Sequence, residues 1–162
     1  MLPLRRTTAY GHRARGRRGA RQLAPTKGGD MSSRRIRLSS RALGDLRRCI
    51  VHVYDTADEM CAAGTRFNHN DLTGSAGITQ SYHDAETDRT FVPVVRLYRD
   101  RLGIRVISHE MHHAATAIYG STQPNDVLPS AILTHHNEPF AYLFSDLLAH
   151  LVVSLYRFGY YE

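Results

Sequence analysis

The chain has 162 residues, of which 42% are hydrophobic, and a formal net charge of +6. This length suits one domain with one modest core, and the composition excludes a wholly disordered chain. The charge is unevenly placed, because residues 1–37 hold 11 of the 21 Lys and Arg residues and one acid, so they carry +10 and residues 38–162 carry −4.

The N-terminal segment, residues 1–33, is predicted to be a disordered basic tail, and residues 34–162 form the folded domain. The tail is rich in Gly and Arg and has too few large apolar residues to offset its ordering entropy. Three interpretations stay open: a tail that binds nucleic acid, a targeting peptide, or an extension upstream of a true start at Met31. If nucleic acid binds, we expect it to bind through this tail only.

The two cysteines, Cys49 and Cys61, can form at most one disulfide. No secretory apolar segment follows Met1, so we expect a cytoplasmic protein with both thiols free and buried.

The first regular elements are predicted around these cysteines. Residues 49–54 (CIVHVY) are rich in β-branched side chains, which favours a strand, and Thr56 can cap a helix that follows. The alternative is one long helix from Ser40 to Gly64 with an apolar face. Residues 64–77 have the glycines and polar residues of a loop.

Two further strands are predicted at Ala76–His83 and Thr90–Tyr98, joined by a polar turn as in a hairpin. Pro93 lies inside the second of them. Because proline cannot donate to a β-ladder, we expect Thr90–Tyr98 to be an edge strand.

Two helices complete the domain. Apolar residues recur at helical spacing from about Leu102 to Tyr119, and Asn137 and Pro139 can start a last helix that runs to about Phe158. The uncharged run of this last helix is too short for a membrane span, so no membrane association is expected.

The first of these helices contains the sequence His109-Glu110-Met111-His112-His113, which has the spacing H-E-x-x-H. Residues i and i+4 lie one turn apart on one face, so His109 and His113 can bind one Zn²⁺ ion. Glu110 lies beside them and can take a proton from water at the metal.

A catalytic zinc site needs a third protein ligand. Thr116 and Tyr119 stand where a metzincin would have its Gly and its third His, so that pattern fails. Glu138, at the start of the last helix, is the favoured third ligand. The alternatives left open are His135, His136 and Asp146.

The chain resembles the zincin metallopeptidases, and among them the gluzincins, through His109-Glu110-x-x-His113 and the segment that begins Asn137-Glu138. The resemblance implies His109, His113 and Glu138 as zinc ligands and Glu110 as general base. It also implies an α+β zincin-like fold, in which a short mixed sheet with an edge strand packs on the motif helix, followed by the C-terminal helix with the third ligand. Tyr142 departs from the pattern, since thermolysin-like gluzincins have Asp there, and Asp146 is the candidate substitute.

The expected function is therefore hydrolysis of peptide or protein substrates by a zinc metallopeptidase. The candidates for oxyanion or substrate contacts are Tyr142, His112, His135 and His136. The alternatives are a non-catalytic zinc protein with a closed site and a nucleic-acid-binding module that acts through the tail. An extended substrate is expected to pair with the edge strand.

Overall fold

The computed structural model describes residues 33–81, 83–84, 89–90, 92–123 and 137–161, with the backbone alone at 68, 83–84 and 89–90. The basic tail and two candidate site residues, His135 and His136, lie outside the described residues. The described elements, in chain order, are β1 (Arg34–Ser40), β2 (Arg47–Tyr54), α1 (Ala57–Asn68), β3 (Ile78–Gln80), β4 (His83–Asp84), β5 (Arg89–Thr90), β6 (Val94–Tyr98), a 3-10 turn (Arg99–Arg101), α2 (Ile104–Gly120) and α3 (Glu138–Arg157).

Four of these strands form one mixed sheet in the order β1-β2-β6-β3. β2 is antiparallel to β1 and parallel to β6, and β3 is antiparallel to β6. The short strands β4 and β5 pair with each other in a separate ribbon. The α+β class and the short mixed sheet that the sequence predicted are therefore confirmed.

The main core lies between one face of the sheet and the helices α2 and α3. Alternate residues of the strands point into it, because successive side chains of a strand face opposite sides. The buried side chains from the sheet include Ile36, Leu38, Val51, Val53, Val95 and Leu97, and those from the two helices include Ile107, Met111, Leu147 and Leu151. A second, smaller cluster on the other face contains Tyr54, Met60, Cys61, Ala63 and Ile78 and lies under α1.

The predicted strand at residues 49–54 and the helix after Thr56 are both confirmed. Thr56 and Glu59 form a capping box: the Thr56 hydroxyl accepts from the Glu59 amide, and the Glu59 carboxylate accepts from the Thr56 amide, both at 3.3 Å. The alternative of one helix from Ser40 to Gly64 is wrong, because β2 is paired on both sides and α1 begins only after it.

The prediction that Thr90–Tyr98 is an edge strand is wrong. Thr90 belongs to the β4–β5 ribbon, and β6 begins at Val94 and lies between β2 and β3. Pro93 precedes the strand, where no ladder donor is required, and its carbonyl accepts from the Ile50 amide at 3.0 Å. The edge strand next to α2 is instead β3.

The last helix, α3, begins at Glu138 with Asn137 in the N-cap position and a proline in its first turn. By length and composition alone this helix is long and apolar enough to cross a membrane, with a mean hydropathy of 1.3. The expectation that it is too short for a membrane span is therefore not supported. A core helix meets the same criterion. Four of its leucines, at every fourth position, are fully buried in the core: Leu143, Leu147, Leu151 and Leu155.

Candidate metal centre

The motif helix α2 has one face committed to the core. Ile107, Met111, Ala114, Ala115 and Ile118 are buried there, at the spacing the sequence predicted. His109 and His113 lie on the side of the helix that this face leaves exposed. The core contacts therefore orient the two imidazoles away from the main core.

The rings of His109 and His113 converge at their Nε2 atoms, which are 3.1 Å apart. Their planes are nearly perpendicular, at 87°, with the ring centroids separated by 4.6 Å. The helix backbone alone brings them together, since positions i and i+4 are one turn apart. The two nitrogens thus aim at one point beside the helix.

This arrangement fits a zinc ion. Zinc binds imidazole nitrogens at about 2.0–2.1 Å in tetrahedral geometry, which separates two such nitrogens by about 3.3 Å. The observed distance of 3.1 Å between the two Nε2 atoms is close to that separation. Imidazole is a preferred ligand of this metal, so both the donor type and the spacing of the pair suit it.

Glu110 points toward β3 and is buried, with 6% of its surface exposed. The Thr79 hydroxyl lies 2.7 Å from the Oε2 atom of this carboxylate and 3.0 Å from the backbone carbonyl oxygen of Glu110. Because a hydroxyl has one proton, the shorter contact with the carboxylate is the stronger candidate for the donated bond. Among the described residues, Thr79 is the hydrogen-bond partner of this carboxylate.

Gly77 lets the carboxylate lie this close to the chain. A Cβ atom at residue 77 would be 2.7 Å from Cγ of Glu110 and 3.0 Å from both its Cδ and Oε1. Real Cβ atoms do not approach other atoms so closely, so only glycine fits here without a shift. The segment from Gly77 to Thr79 therefore clamps the Glu110 side chain in one place.

These side chains line one cavity of about 570 Å³ between β3 and α2. Its size is within the range of ligand-binding clefts in proteins. The lining residues from the β3 side include Leu72, Gly77, Ile78 and Thr79, and those from α2 include His109, Glu110, His113 and Thr116. The two imidazoles and the carboxylate therefore share one accessible cleft.

Glu138, the predicted third ligand, does not join this group. It is exposed in the first turn of α3. In the part of the chain that the structure describes, no three His, Cys, Asp or Glu side chains are close enough to hold a metal ion together. The structure brings together His109, Glu110 and His113, and it leaves Glu138 apart from them.

The three other candidate residues within the described chain have different surroundings. His112 packs its ring edge-on against Phe140 and Phe144 of α3, at centroid distances of 5.5 and 6.0 Å. Tyr142 is 63% exposed on α3. Asp146 accepts a hydrogen bond from the buried Ser40 hydroxyl at 2.7 Å, which holds it against β1.

Gly77 and Thr79 were not singled out from the sequence. Gly77 lies where the predicted loop 64–77 and the predicted strand Ala76–His83 overlap, and Thr79 is at an ordinary position of that strand. The signal that could have indicated them is a glycine at the start of a short strand, a position where another part of the chain often approaches the backbone. That signal does not name the approaching residue.

Comparison of the chain with protein-family models, with characterised proteins and with solved structures gives no match. The chemical interpretation of this site therefore depends on its own residues and distances.

Proposed function

We propose that this chain is a zinc-dependent peptidase, with His109 and His113 as metal ligands and Glu110 as general base. The observation that supports this most is the convergence of two imidazole Nε2 atoms at 3.1 Å beside a clamped, buried carboxylate in one cleft. Two histidine ligands of one zinc ion hold their ring nitrogens at a similar separation.

A zinc ion held by His109 and His113 would lower the pKa of a bound water molecule and polarise the scissile carbonyl group. Glu110 would serve as the general base that accepts a proton from water and delivers it to the leaving amine. Thr79 donates to Oε2, and we assign proton transfer to the other carboxylate oxygen, Oε1, which accepts no hydrogen bond from the described residues. Thr79 would thus position the base through its side-chain hydroxyl.

The substrate we propose is an extended peptide that pairs with β3. This strand ends the sheet order, so its outer edge has no partner strand among the described elements. An unpaired edge offers main-chain donors and acceptors to a peptide and makes little demand on its sequence. Ile78 and Thr79 of this strand also line the cleft, which would bring the bound peptide past Glu110.

Glu138 remains our proposal for the third ligand. Phe140, two residues further along α3, contacts His112 of the motif helix, so the first turn of α3 lies beside the motif. Glu138 is the acidic residue of this first turn. Metal binding would then draw Glu138 toward the two imidazoles, because zinc is bound by three protein ligands in catalytic sites.

The metal site is tested by measuring zinc bound to the purified full chain after metal-replete expression. We expect close to one zinc per chain, a sharp loss in His113→Ala and in Glu138→Ala, and wild-type content in His112→Ala. His112 is the matched control, because it is a neighbouring histidine on the same helix that packs on α3. Equal zinc content in the His112 and His113 variants would exclude the proposed ligands.

The activity is tested with fluorescein-labelled casein as the probe. We expect Glu110→Gln to keep its zinc and lose cleavage, since the amide cannot accept the proton. A hydroxamate should inhibit the wild type by binding an open metal position. Zinc without cleavage and without hydroxamate binding would instead indicate a closed, non-catalytic zinc site, and full activity of Glu110→Gln would exclude the mechanism.

A further inference from the structure

The β1–β2 pair presents three arginines on the sheet face opposite the main core. In the antiparallel register, Arg37 is opposite Ile50 and Ser39 is opposite Arg48. Because side chains alternate along a strand, Arg35 and Arg37 share this face with Arg48. We call these three residues, Arg35, Arg37 and Arg48, the arginine face.

These three side chains differ from the other arginines of β1 and β2. Arg34 stacks over the Phe158 ring at 4.6 Å, and Arg47 lies 3.6 Å from the Asp45 carboxylate. The arginine face is exposed, and no ion pair involves it within the described residues. Three guanidinium groups with the same charge therefore lie close together without a described acidic partner.

The arginine face borders a groove of about 540 Å³. Apolar side chains share the lining with the arginines: Ile50 in the middle, and Leu46 and Val92, which are 43% and 42% exposed. The guanidinium groups can bind the anionic backbone of a ligand, and the apolar side chains of the groove can contact the organic groups attached to that backbone. The groove therefore has the features of a binding surface for a polyanion.

The charge along the chain supports this. Between Arg34 and Arg48 the sequence has six arginines and one acid, Asp45, although residues 38–162 as a whole carry −4. The arginine-rich tail leads directly into β1 in the sequence. Such separation of charge within one chain is typical of proteins that bind nucleic acid or another polyanion.

We propose that the arginine face is a nucleic-acid-binding surface that contacts the phosphate backbone. Arginine suits phosphate because its planar guanidinium can donate two parallel hydrogen bonds to one phosphate group. β1 is an edge strand of the sheet, and the arginine face extends from this strand onto β2. This proposal differs from the expectation from the sequence, in which nucleic acid binds through the tail only.

Nucleic acid fits this surface better than a membrane. Amphipathic membrane-binding surfaces bury an apolar face in the headgroup region, whereas the three arginines here line a groove. A regularly charged rod can lie along such a groove and contact all three guanidinium groups. The surface is also independent of the proposed metal centre, because α2 packs on the opposite face of the sheet.

The test uses the full chain and a fluorescent DNA duplex of about 20 base pairs, with binding measured by anisotropy over a series of salt concentrations. Each phosphate contact contributes about 0.9 to the slope of log K against log salt. Replacing the arginine face by R35Q/R37Q/R48Q should therefore reduce the slope by about 2 to 3 and weaken binding by more than about tenfold at moderate salt. A second duplex of different sequence should bind equally well.

The matched control is R101Q/R105Q/R157Q, which removes the same charge from three other exposed arginines. It should keep most of the wild-type slope. If the two triple variants lose binding equally, or if neither loses it, the arginine face is not the site and the tail accounts for binding. Loss of binding to phosphatidylserine vesicles alone, with duplex binding unchanged, would overturn the proposal in favour of a membrane surface.

A second measurement on the wild type does not depend on folding of the variants. Phenylglyoxal modifies accessible guanidinium groups, and mass spectrometry locates the modified residues. The duplex should protect Arg35, Arg37 and Arg48 while Arg101 and Arg105 stay reactive. Equal modification of the arginine face with and without the duplex would contradict the proposal.

Discussion

Adding one methyl group at Gly77 tests whether β3 clamps the proposed general base. In Gly77→Ala the new Cβ would lie 2.7 Å from Cγ of Glu110. Non-bonded carbon atoms prefer about 3.5–4.0 Å, so the carboxylate or the β3 backbone must move by about 1 Å. The obstacle is a buried side chain rather than a mobile surface group, which makes the shift costly.

The size of the effect follows from the crowding. Overpacking of this kind costs about 1–3 kcal/mol, so the free energy of unfolding should fall by that amount. A misplacement of about 1 Å near the reacting groups can reduce the rate by about 100-fold. Zinc content should not change, because the crowded atoms belong to Glu110 and not to the imidazoles.

Urea denaturation, zinc content and casein cleavage together separate these effects. Gly120→Ala is the control, since it adds the same methyl group at the end of the motif helix, where nothing lies within 4 Å. It should be neutral or stabilise the protein by up to about 1 kcal/mol. If Gly77→Ala were as stable and as active as Gly120→Ala, Glu110 would not be clamped by β3.

Three further outcomes follow from single contacts. Thr79→Val should lower the free energy of unfolding by about 1–3 kcal/mol in urea denaturation, because it leaves the buried Glu110 carboxylate without its donor, and Thr79→Ser should restore it. Burial raises the pKa of Cys49 to about 12, so iodoacetamide near pH 8 should label this thiol only in the unfolded protein, as mass spectrometry would detect. Hydrogen bonds from the Thr73 side chain and backbone lower the pKa of Asp71, so its contribution to stability is present above the ordinary carboxyl pKa and is lost as pH falls through the lowered value. An NMR titration should find that pKa below 3.8 and moved upward in Thr73→Ala.

Elements that depend on local patterns were predictable from the sequence. The β-branched run gave β2, the Thr56 cap gave the start of α1, and helical spacing of apolar residues gave α2 and α3. The imidazole pair belongs to this class, because a spacing of four residues on a helix determines the contact without help from the rest of the fold.

Features that depend on distant pairing were not predictable. The sequence of β1 alternates polar residues with Ile36 and Leu38, but its arginines directly continue the arginine-rich tail. The strand was therefore not predicted as a separate element. The position of β6 depends on parallel pairing with β2, more than forty residues earlier, and no local signal reports such a pairing. The prediction of an edge strand depended on Pro93 alone, and this proline lies just before β6.

The same distinction explains which parts of the candidate site were found. His109, Glu110 and His113 are a local motif, whereas Thr79 reaches Glu110 across 31 residues of sequence. β3 is an edge strand, so Thr79, which contacts the proposed base, belongs to the strand to which we propose that a peptide binds. A peptide paired with β3 would therefore restrict the motion of Thr79 and of Gly77, which directly precedes the strand. Substrate binding and the placement of Glu110 would then be coupled through these two residues.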